Sequence, residues 1–489
     1  MIRPAISLLL ASALTACSMA PVYQRPTPPV PPSWPVGDAY LRTSEAALPT
    51  VSYRDIFRDA RLQRIVETAL ANNRDLRVAA ANIAIARAQY RIQRAERLPT
   101  VAASADANLR QGSTTGTNGT TTRTGTTDNY SVGVGVTAFE LDLFGRVASL
   151  SRAALDEYFA TEAAARATRL TLVGDIANAW LTYASDRSLL KIAEATSASA
   201  AKSVRLTRLR LEGGIVPRTD LRQAELVQAQ ALSDLAEQRT ALAQDANLLR
   251  LLVGADVDAA LLPESIEAVA PTLAELPAGL DSGVLLRRPD VVQAEYRLRA
   301  ANAQIGAARA ALFPRISLTG LVGLASGALG SLFSGDAFTW SASGAVDYNI
   351  FNAGAGRAGV DQSRAQRDLA LANYELSIQT AFREVSDGLA RRGTIADQER
   401  AQVGLVAAAQ DNFNLSDARY RGGIDTFLQS LDSQRSLYSA QRSLVATRLL
   451  RAQNLVTLYR TLGGDALLDP TPQGPRPVSP EPDVTPAPR

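Results

Sequence analysis

Four stretches of the chain alternate between apolar and polar side chains, the period-two mark of strands with two unlike faces. Val101, Ala103, Ala105, Ala107 and Leu109 alternate with Ser104, Asp106, Asn108 and Arg110. Tyr130, Val132, Val134 and Val136 alternate with Ser131, Gly133, Gly135 and Thr137. Ile316, Leu318, Val322 and Leu324 begin a second pair. Phe338, Trp340, Ala342, Val346, Tyr348 and Ile350 complete it, against Thr339, Ser341, Ser343, Asp347 and Asn349. The pattern predicts strands over about 100–111, 128–141, 314–326 and 336–351. Between the first two, Gln111 to Asp128 is almost wholly Gly, Thr, Ser and Asn and reads as a flexible exposed loop. Segment 318–333 is apolar enough to imitate a membrane helix. It carries Gly320, Gly323, Gly327 and Gly330, however, and falls short of the roughly 20 residues that a span needs.

Elsewhere the period is helical. No proline interrupts about Arg146 to Glu212 or about Arg357 to Arg421, and each unbroken helix would span roughly 100 Å. Shorter helices are predicted at about 74–98, 218–253, 290–313 and 425–462. Placed end to end, each short pair matches the long helix beside it. That predicts two stacked helices packed antiparallel along one long helix in each half. The last helix carries two heptad lines: Leu431, Tyr438, Val445, Ala452 and Tyr459, then Leu437, Leu444 and Leu458. Heptads are the mark of coiled-coil packing.

The chain repeats itself. Asp75, Ala79, Ala86, Ala88, Gln89, Arg94, Ala95 and Pro99 recur without gaps as Asp290, Ala294, Ala301, Ala303, Gln304, Arg309, Ala310 and Pro314. Phe144-Gly145-Arg146 has a looser partner in Phe351 to Arg357, and Glu212-Gly213-Gly214-Ile215 pairs with Arg421-Gly422-Gly423-Ile424. Each half is therefore domain-sized, far too long a period for a solenoid. The division is 61–270 for the first repeat and 271–465 for the second. Residues 1–16 read as a lipoprotein signal peptide, 17–60 as a lipidated Pro-rich N-terminal tether and equatorial segment, and 466–489 as a Pro-rich disordered tail.

Composition then removes chemistry. Among 489 residues there is no histidine and a single cysteine, Cys17, which excludes Ser-His-Asp and Cys-His catalysis and any His-based metal site. The net charge is +3, with Lys191 and Lys202 the only lysines, and no arginine-dense block marks a nucleic-acid partner. No cofactor and no metal site is expected.

The N-terminus reads as an address. Arg3 supplies a short basic region, Ile6 to Leu14 an apolar core, and Leu14-Thr15-Ala16-Cys17 resembles the bacterial lipoprotein box. The resemblance implies a diacylglycerol on the Cys17 sulfur and an acyl chain, a palmitoyl group, on its amino group. Each buried methylene contributes roughly 0.8 kcal/mol to such an anchor. Ser18 stands where an inner-membrane retention signal would place aspartate, which implies the outer membrane.

Four strands cannot close a membrane barrel, and an open edge in lipid leaves backbone groups unpaired. Bacterial barrels begin at about eight strands, and three copies would pool twelve. At this point the sequence resembles the outer-membrane factor family, the TolC-like channels, in its lipoprotein branch serving resistance-nodulation-division efflux pumps. The matching pieces are Cys17-Ser-Met-Ala-Pro-Val-Tyr-Gln-Arg-Pro26, Phe139-Glu-Leu-Asp-Leu-Phe-Gly-Arg146 and Ala418-Arg-Tyr-Arg-Gly-Gly-Ile-Asp425. Leu431-Asp-Ser-Gln-Arg435 and Leu458-Tyr-Arg-Thr-Leu-Gly-Gly464 complete them. The resemblance implies a mainly α protein with a membrane β part. Its homotrimer would hold a twelve-stranded barrel in outer-membrane lipid, continued by a long α-helical barrel in the periplasm. The implied partners are a periplasmic adaptor (a membrane fusion protein) and an inner-membrane resistance-nodulation-division pump. The implied function is a passive gated duct for small toxic compounds, which needs no catalytic residue. An exit duct for type I secretion or metal efflux is the alternative, and a periplasmic adaptor lipoprotein a weaker one.

Site residues follow from the same resemblance. The helix turns at Arg210 to Val216 and Tyr420 to Asp425, with Gly213, Gly214, Gly422 and Gly423, are the expected adaptor-docking tips. Leu428, Asp432 and Arg435 match the family's periplasmic gate. Leu428 and Asp432 are four apart and share a helix face, and Arg435 is the nearest candidate partner for the carboxylate. Three other signals are decoys. Gly354-Ala-Gly356-Arg-Ala-Gly359 matches the dinucleotide fingerprint, but a long helix follows where a parallel strand is required. Glu140 and Asp142 are placed at the barrel-to-tunnel transition in preference to an acid-base pair. Asn118-Gly119-Thr120 matches a glycosylation triplet that a bacterial lipoprotein signal makes irrelevant.

Overall fold

The structure is a computed structural model that describes residues 19–35, 37, 40, 52–115, 122–274 and 282–478. The signal, Cys17 and the end of the tail lie outside the described residues. Seven principal helices are formed: α1 (Ala60–Asn72), α2 (Arg74–Ala95), α3 (Arg146–Glu212), α4 (Arg218–Val253), α5 (Pro289–Ala310), α6 (Ala355–Arg421) and α7 (Phe427–Thr461). Strands β1 (Val101–Thr115), β2 (Thr122–Glu140), β3 (Arg315–Ser326) and β4 (Phe338–Asp347) build one antiparallel sheet in the order β1-β2-β3-β4. Both long helices run unbroken for 67 residues. No described helix is long and apolar enough to cross a membrane.

The chain divides into two compact units. The first draws on the described parts of Met1–Pro26, Ala84–Ala160 and Glu295–Asn373 and contains the sheet. Its register aligns the apolar positions into rows. Ala103 opposes Val134, Val134 opposes Val322, and Val322 opposes Trp340. One row along, Ala105, Val132, Leu324 and Phe338 align in the same way. Directly opposite residues share a face, so each row is an apolar band across four strands. The band is not covered: Trp340 is 72% exposed and Phe338 60%. The other face carries rows such as Ser104, Gly133, Gly323 and Thr339. At Gly323 an added Cβ would collide with the Val132 carbonyl, so β2 and β3 approach closely because side chains are missing there. Below the sheet, Ala153, Ala300 and Ala303 form a small core, and Tyr296 is fully buried against Phe159 at 5.4 Å.

The second unit draws on Thr27–Ile83, Thr161–Ala294 and Tyr374–Arg489. Trp180, Tyr374 and Tyr459 are among its largest buried side chains. The heptad lines of α7 are inward-facing, with Leu431, Leu437, Leu444, Val445, Ala452, Leu458 and Tyr459 all buried. Arg288, itself buried, ties Asp290, Glu384 and the Thr461 carbonyl together.

Four expectations change. The threonine-rich stretch is strand on both sides, with Thr115 pairing Thr122, because threonine's branched Cβ favours extended backbone. Strand β4 stops at Asp347, so Tyr348 and Ile350 lie beyond it. Positive φ at Ala353 and Gly354 then turns the chain into α6. The N-terminal tether is extended but not free: Met19 and Pro21 accept hydrogen bonds from Arg309 and Asn302 of α5. The tail is ordered through Val478 in a hairpin of β5 (Leu468–Thr471) and β6 (Gly474–Pro477), because Leu467 and Leu468 are buried and anchor it.

Candidate functional site

The helix-turn tips are built by sequence alone. Helix α3 ends in a Schellman motif: the Gly214 amide donates to Leu211 and the Ile215 amide to Arg210, with Gly214 at φ 72°. Helix α6 repeats it, with Gly423 donating to Tyr420, Ile424 to Arg419, and φ 73° at Gly423. Gly213 and Gly422 precede the left-handed residue and keep ordinary φ, so each pair splits its work between close turn and reversal. Ile215 and Ile424 are exposed at the ends. Behind them Val204, Leu221, Ala224, Tyr420, Phe427 and Leu431 form a cluster that fixes both turns to one core.

Charge reinforces the tips. Arg419 binds Asp425 through two contacts, at 2.6 and 2.9 Å. The Arg419 guanidinium holds the Asp425 carboxyl below its ordinary range, and Arg419 is raised in return.

Leu428, Asp432 and Arg435 stand on the first turns of α7, immediately after the second tip. All three are exposed, while Phe427, Ser430, Leu431 and Ser433 on the opposite side are buried. Leu428 and Asp432 therefore do share an unpartnered face. Arg435 makes no ion pair with Asp432 among the described residues.

The decoys resolve into scaffolding. Glu140 is held by two bonds from Arg146 at 2.8 and 2.7 Å. The Asp142 carboxylate accepts from the amides of Val147 and Ala148 and caps the start of α3. Gly354 is the left-handed turn before α6, and every strand pairing among the described residues is antiparallel, which leaves no parallel unit to hold a nucleotide. A cleft of about 710 Å³ lies where strands hand over to helices, floored by the stacked rings of Phe144 and Phe313 at 4.7 Å. No group of His, Cys, Asp or Glu that could hold a metal occurs among the described residues.

Sequence reasoning missed one buried charge cluster. Glu295 on α5 is completely buried and is met by Tyr23, by Arg25 at 2.8 Å and by Arg299 at 2.6 Å. The guanidinium of Arg299 also lies 4.9 Å from the Tyr23 ring. The only signal was a lone carboxylate in the run from Val291 to Arg299, which otherwise carries only neutral and basic side chains.

Comparison with known proteins gives one answer throughout. The chain is 45% identical over 470 residues to the antibiotic efflux pump outer membrane protein ArpC of Pseudomonas putida, covering 93% of this chain and 95% of that one. It superposes on the crystal structure of a membrane protein from Pseudomonas aeruginosa with a TM-score of 0.83 and 39% identity, over 91% of this chain and 100% of that one. Against the open state of the Neisseria gonorrhoeae MtrE outer membrane channel the TM-score is 0.80 at 33% identity, over 92% and 98% of the chains. The model of the outer membrane efflux protein family matches residues 65–255 and 281–464, taking in both repeats. The chain belongs to the outer membrane efflux protein family, and it is an efflux channel protein, not an enzyme.

Proposed function

We propose that this chain forms, as a homotrimer, the outer-membrane duct of a tripartite pump that expels small toxic compounds. One observation carries the reading: a four-stranded sheet exposes a continuous apolar band on one face while, among the described residues, its edge strands β1 and β4 are paired on one side only. Neither an apolar band in water nor an open edge in lipid is stable alone. Three sheets joined edge to edge would remove both problems, with the band toward lipid and the Ser-, Gly- and Thr-rich rows toward a bore. The antibiotic efflux of the ArpC relative supports small toxic molecules as cargo.

The remaining roles follow from position. The two tips would meet a periplasmic adaptor joined to an inner-membrane resistance-nodulation-division pump. Beside them, threefold symmetry would gather Leu428 and Asp432 into an apolar ring and a ring of three carboxylates. The leucines would exclude water, and unpaired carboxylates repel one another, so closure is poised for an adaptor to release. A lipid on Cys17 would anchor the chain beside the sheet, because Met19, two residues on, is held by Arg309 near the end of α5.

Light scattering of detergent-purified Cys17→Ser protein tests the reading. A detergent-dependent trimer is expected, since the barrel has its own affinity for lipid. A monodisperse monomer that stays soluble without detergent would overturn it.

A further inference from the structure

The pairing register sorts the charges of the sheet by face. Asp106 opposes Ser131, which opposes Ala325, next to the row of Ser104, Gly133 and Gly323. Opposite residues share a face and alternate residues return to it, so Asp106 stands on the face turned away from the apolar band. The other charges of that face within the four-stranded part lie at its helix-proximal base. There the bulge in β2 between Val136 and Phe139, with Ala138 at φ 51°, shifts the parity and sets Glu140 opposite Ser317. Glu140 is neutralised by Arg146 at 2.7 Å and Arg315 at 3.6 Å, and Arg315 opposes Asp347. From Ser317 to Ala325 along β3 is ~27 Å at ~3.4 Å per residue, and between those rows the face is uncharged. Asp106 is exposed and makes no ion pair among the described residues.

Height decides which charge acts. Asp106 lies where β1, β2 and β3 are all paired. Arg110, the next charge on the face, opposes Thr127, beyond the Tyr130–Ser326 pair at which β3 ends. Two strands per copy are too few to enclose a bore there, so water screens Arg110 on every side. Extended backbone also puts Asp106 and Arg110 ~14 Å apart, too far to neutralise each other. At the height of Asp106 a twelve-stranded ring, with strands ~4.8 Å apart and tilted by ~40°, has a backbone radius of roughly 12 Å. The Debye length is ~10 Å at 0.1 M salt and ~3 Å at 1 M. Carboxylates on that wall therefore act across the bore in dilute salt and only beside the wall in strong salt.

We infer that Asp106 is a specificity-determining residue of the duct. Its copies form a carboxylate ring on the bore face, near the end remote from the helices, that favours cationic over anionic solutes. A ring of like charge selects by attracting ions of the opposite sign and repelling its own. The inference rests on the trimeric duct reading and names the charge class that its barrel prefers.

Reversal potentials across planar bilayers under a potassium chloride gradient test it. The Leu428→Ala, Asp432→Ala background is used, because it removes the carboxylates expected at the gate. Near ~0.1 M salt this channel should prefer potassium to chloride. Asp106→Asn should lose most of that preference, and Asp106→Arg should turn it toward chloride. Raising the salt to ~1 M should erase the differences among them. Asp128→Asn removes the same charge from the opposite face, where Asp128 opposes Leu109, and should leave the reversal potential unchanged. Light scattering establishes that each sample is trimeric; should Asp106→Arg fail to assemble, the Asp106→Asn shift alone decides. Conducting trimers whose reversal potential ignores Asp106→Asn, or shifts equally with Asp128→Asn, overturn the ring and leave the duct standing. Protein that is monomeric, or trimeric and passes no ions, overturns the duct itself.

Discussion

The guanidinium of Arg210 lies 4.6 Å from the centre of the Tyr420 ring and donates to the carbonyls of Tyr420 and Arg421. A side chain from the end of one long helix thus caps the end of the other. The last carbonyls of a helix have no intrahelical partner, and a cation there satisfies them and complements the helix dipole. Replacing Arg210 with alanine should cost about 1–2 kcal/mol locally. Hydrogen exchange at Tyr420 to Ile424 should accelerate and efflux should fall, with trimer yield unchanged. Unaltered exchange at that tip would show that the cap is redundant.

Glu295 predicts a second effect, on the N-terminal segment. Its buried carboxylate holds Tyr23, Arg25 and Arg299, and removing one member of a buried charge cluster costs roughly 3–5 kcal/mol. Glu295→Ala should release residues 20–26, seen as faster amide exchange there and earlier proteolysis at Arg25. Protection equal to wild type would mean that Asn302 and Arg309 hold the segment unaided.

The third prediction is a pH dependence. Burial, and then the neighbouring Asp186 carboxyl, push Asp245 up to about 7, and its Oδ2 finds no hydrogen-bond donor among the described residues. The folded pKa is above the unfolded one. Asp245 therefore favours folding most below the ordinary carboxylate range, and that contribution is lost as pH rises through about 7. Partial exposure screens the effect to about 1–2 kcal/mol. Melting in detergent should occur at a lower temperature near pH ~8 than near pH ~6, and Asp245→Asn should flatten the difference. An equal slope in both proteins would contradict the assignment.

The fourth concerns the sheet. A side chain at Gly323 would meet the Val132 carbonyl and the Gly133 Cα. Gly323→Val should abolish folded trimer. The same change at Gly320, where nothing stands within 4 Å, should be tolerated. Equal yields would show that the two strands can separate without cost.

These outcomes bear on what the sequence made legible. Helix bounds were readable because proline is absent from α3 and α6 and a Gly-Gly pair ends each. Strand faces were readable because alternation is local. What escaped depended on distant partners. Nothing near Tyr23 announces that Glu295 awaits it, and proline content obscured the pull of Leu467 and Leu468 on the tail. Pro470 and Pro475 even oppose each other in that hairpin, where edge positions ask no amide of them. The face shared by Leu428 and Asp432 was legible from their spacing. That Arg435 does not reach Asp432 among the described residues was not, because side-chain reach depends on rotamer as well as on helical phase.

A gated aqueous duct reveals itself as conductance in planar bilayers. Wild-type protein should insert and give small or infrequent conductance steps. Leu428→Ala with Asp432→Ala should give large, long-lived steps, because the apolar ring and the carboxylate ring are both gone. Trimers of both proteins that insert yet conduct alike would move the constriction elsewhere. Trimers that insert and pass no ions at all would contradict the duct.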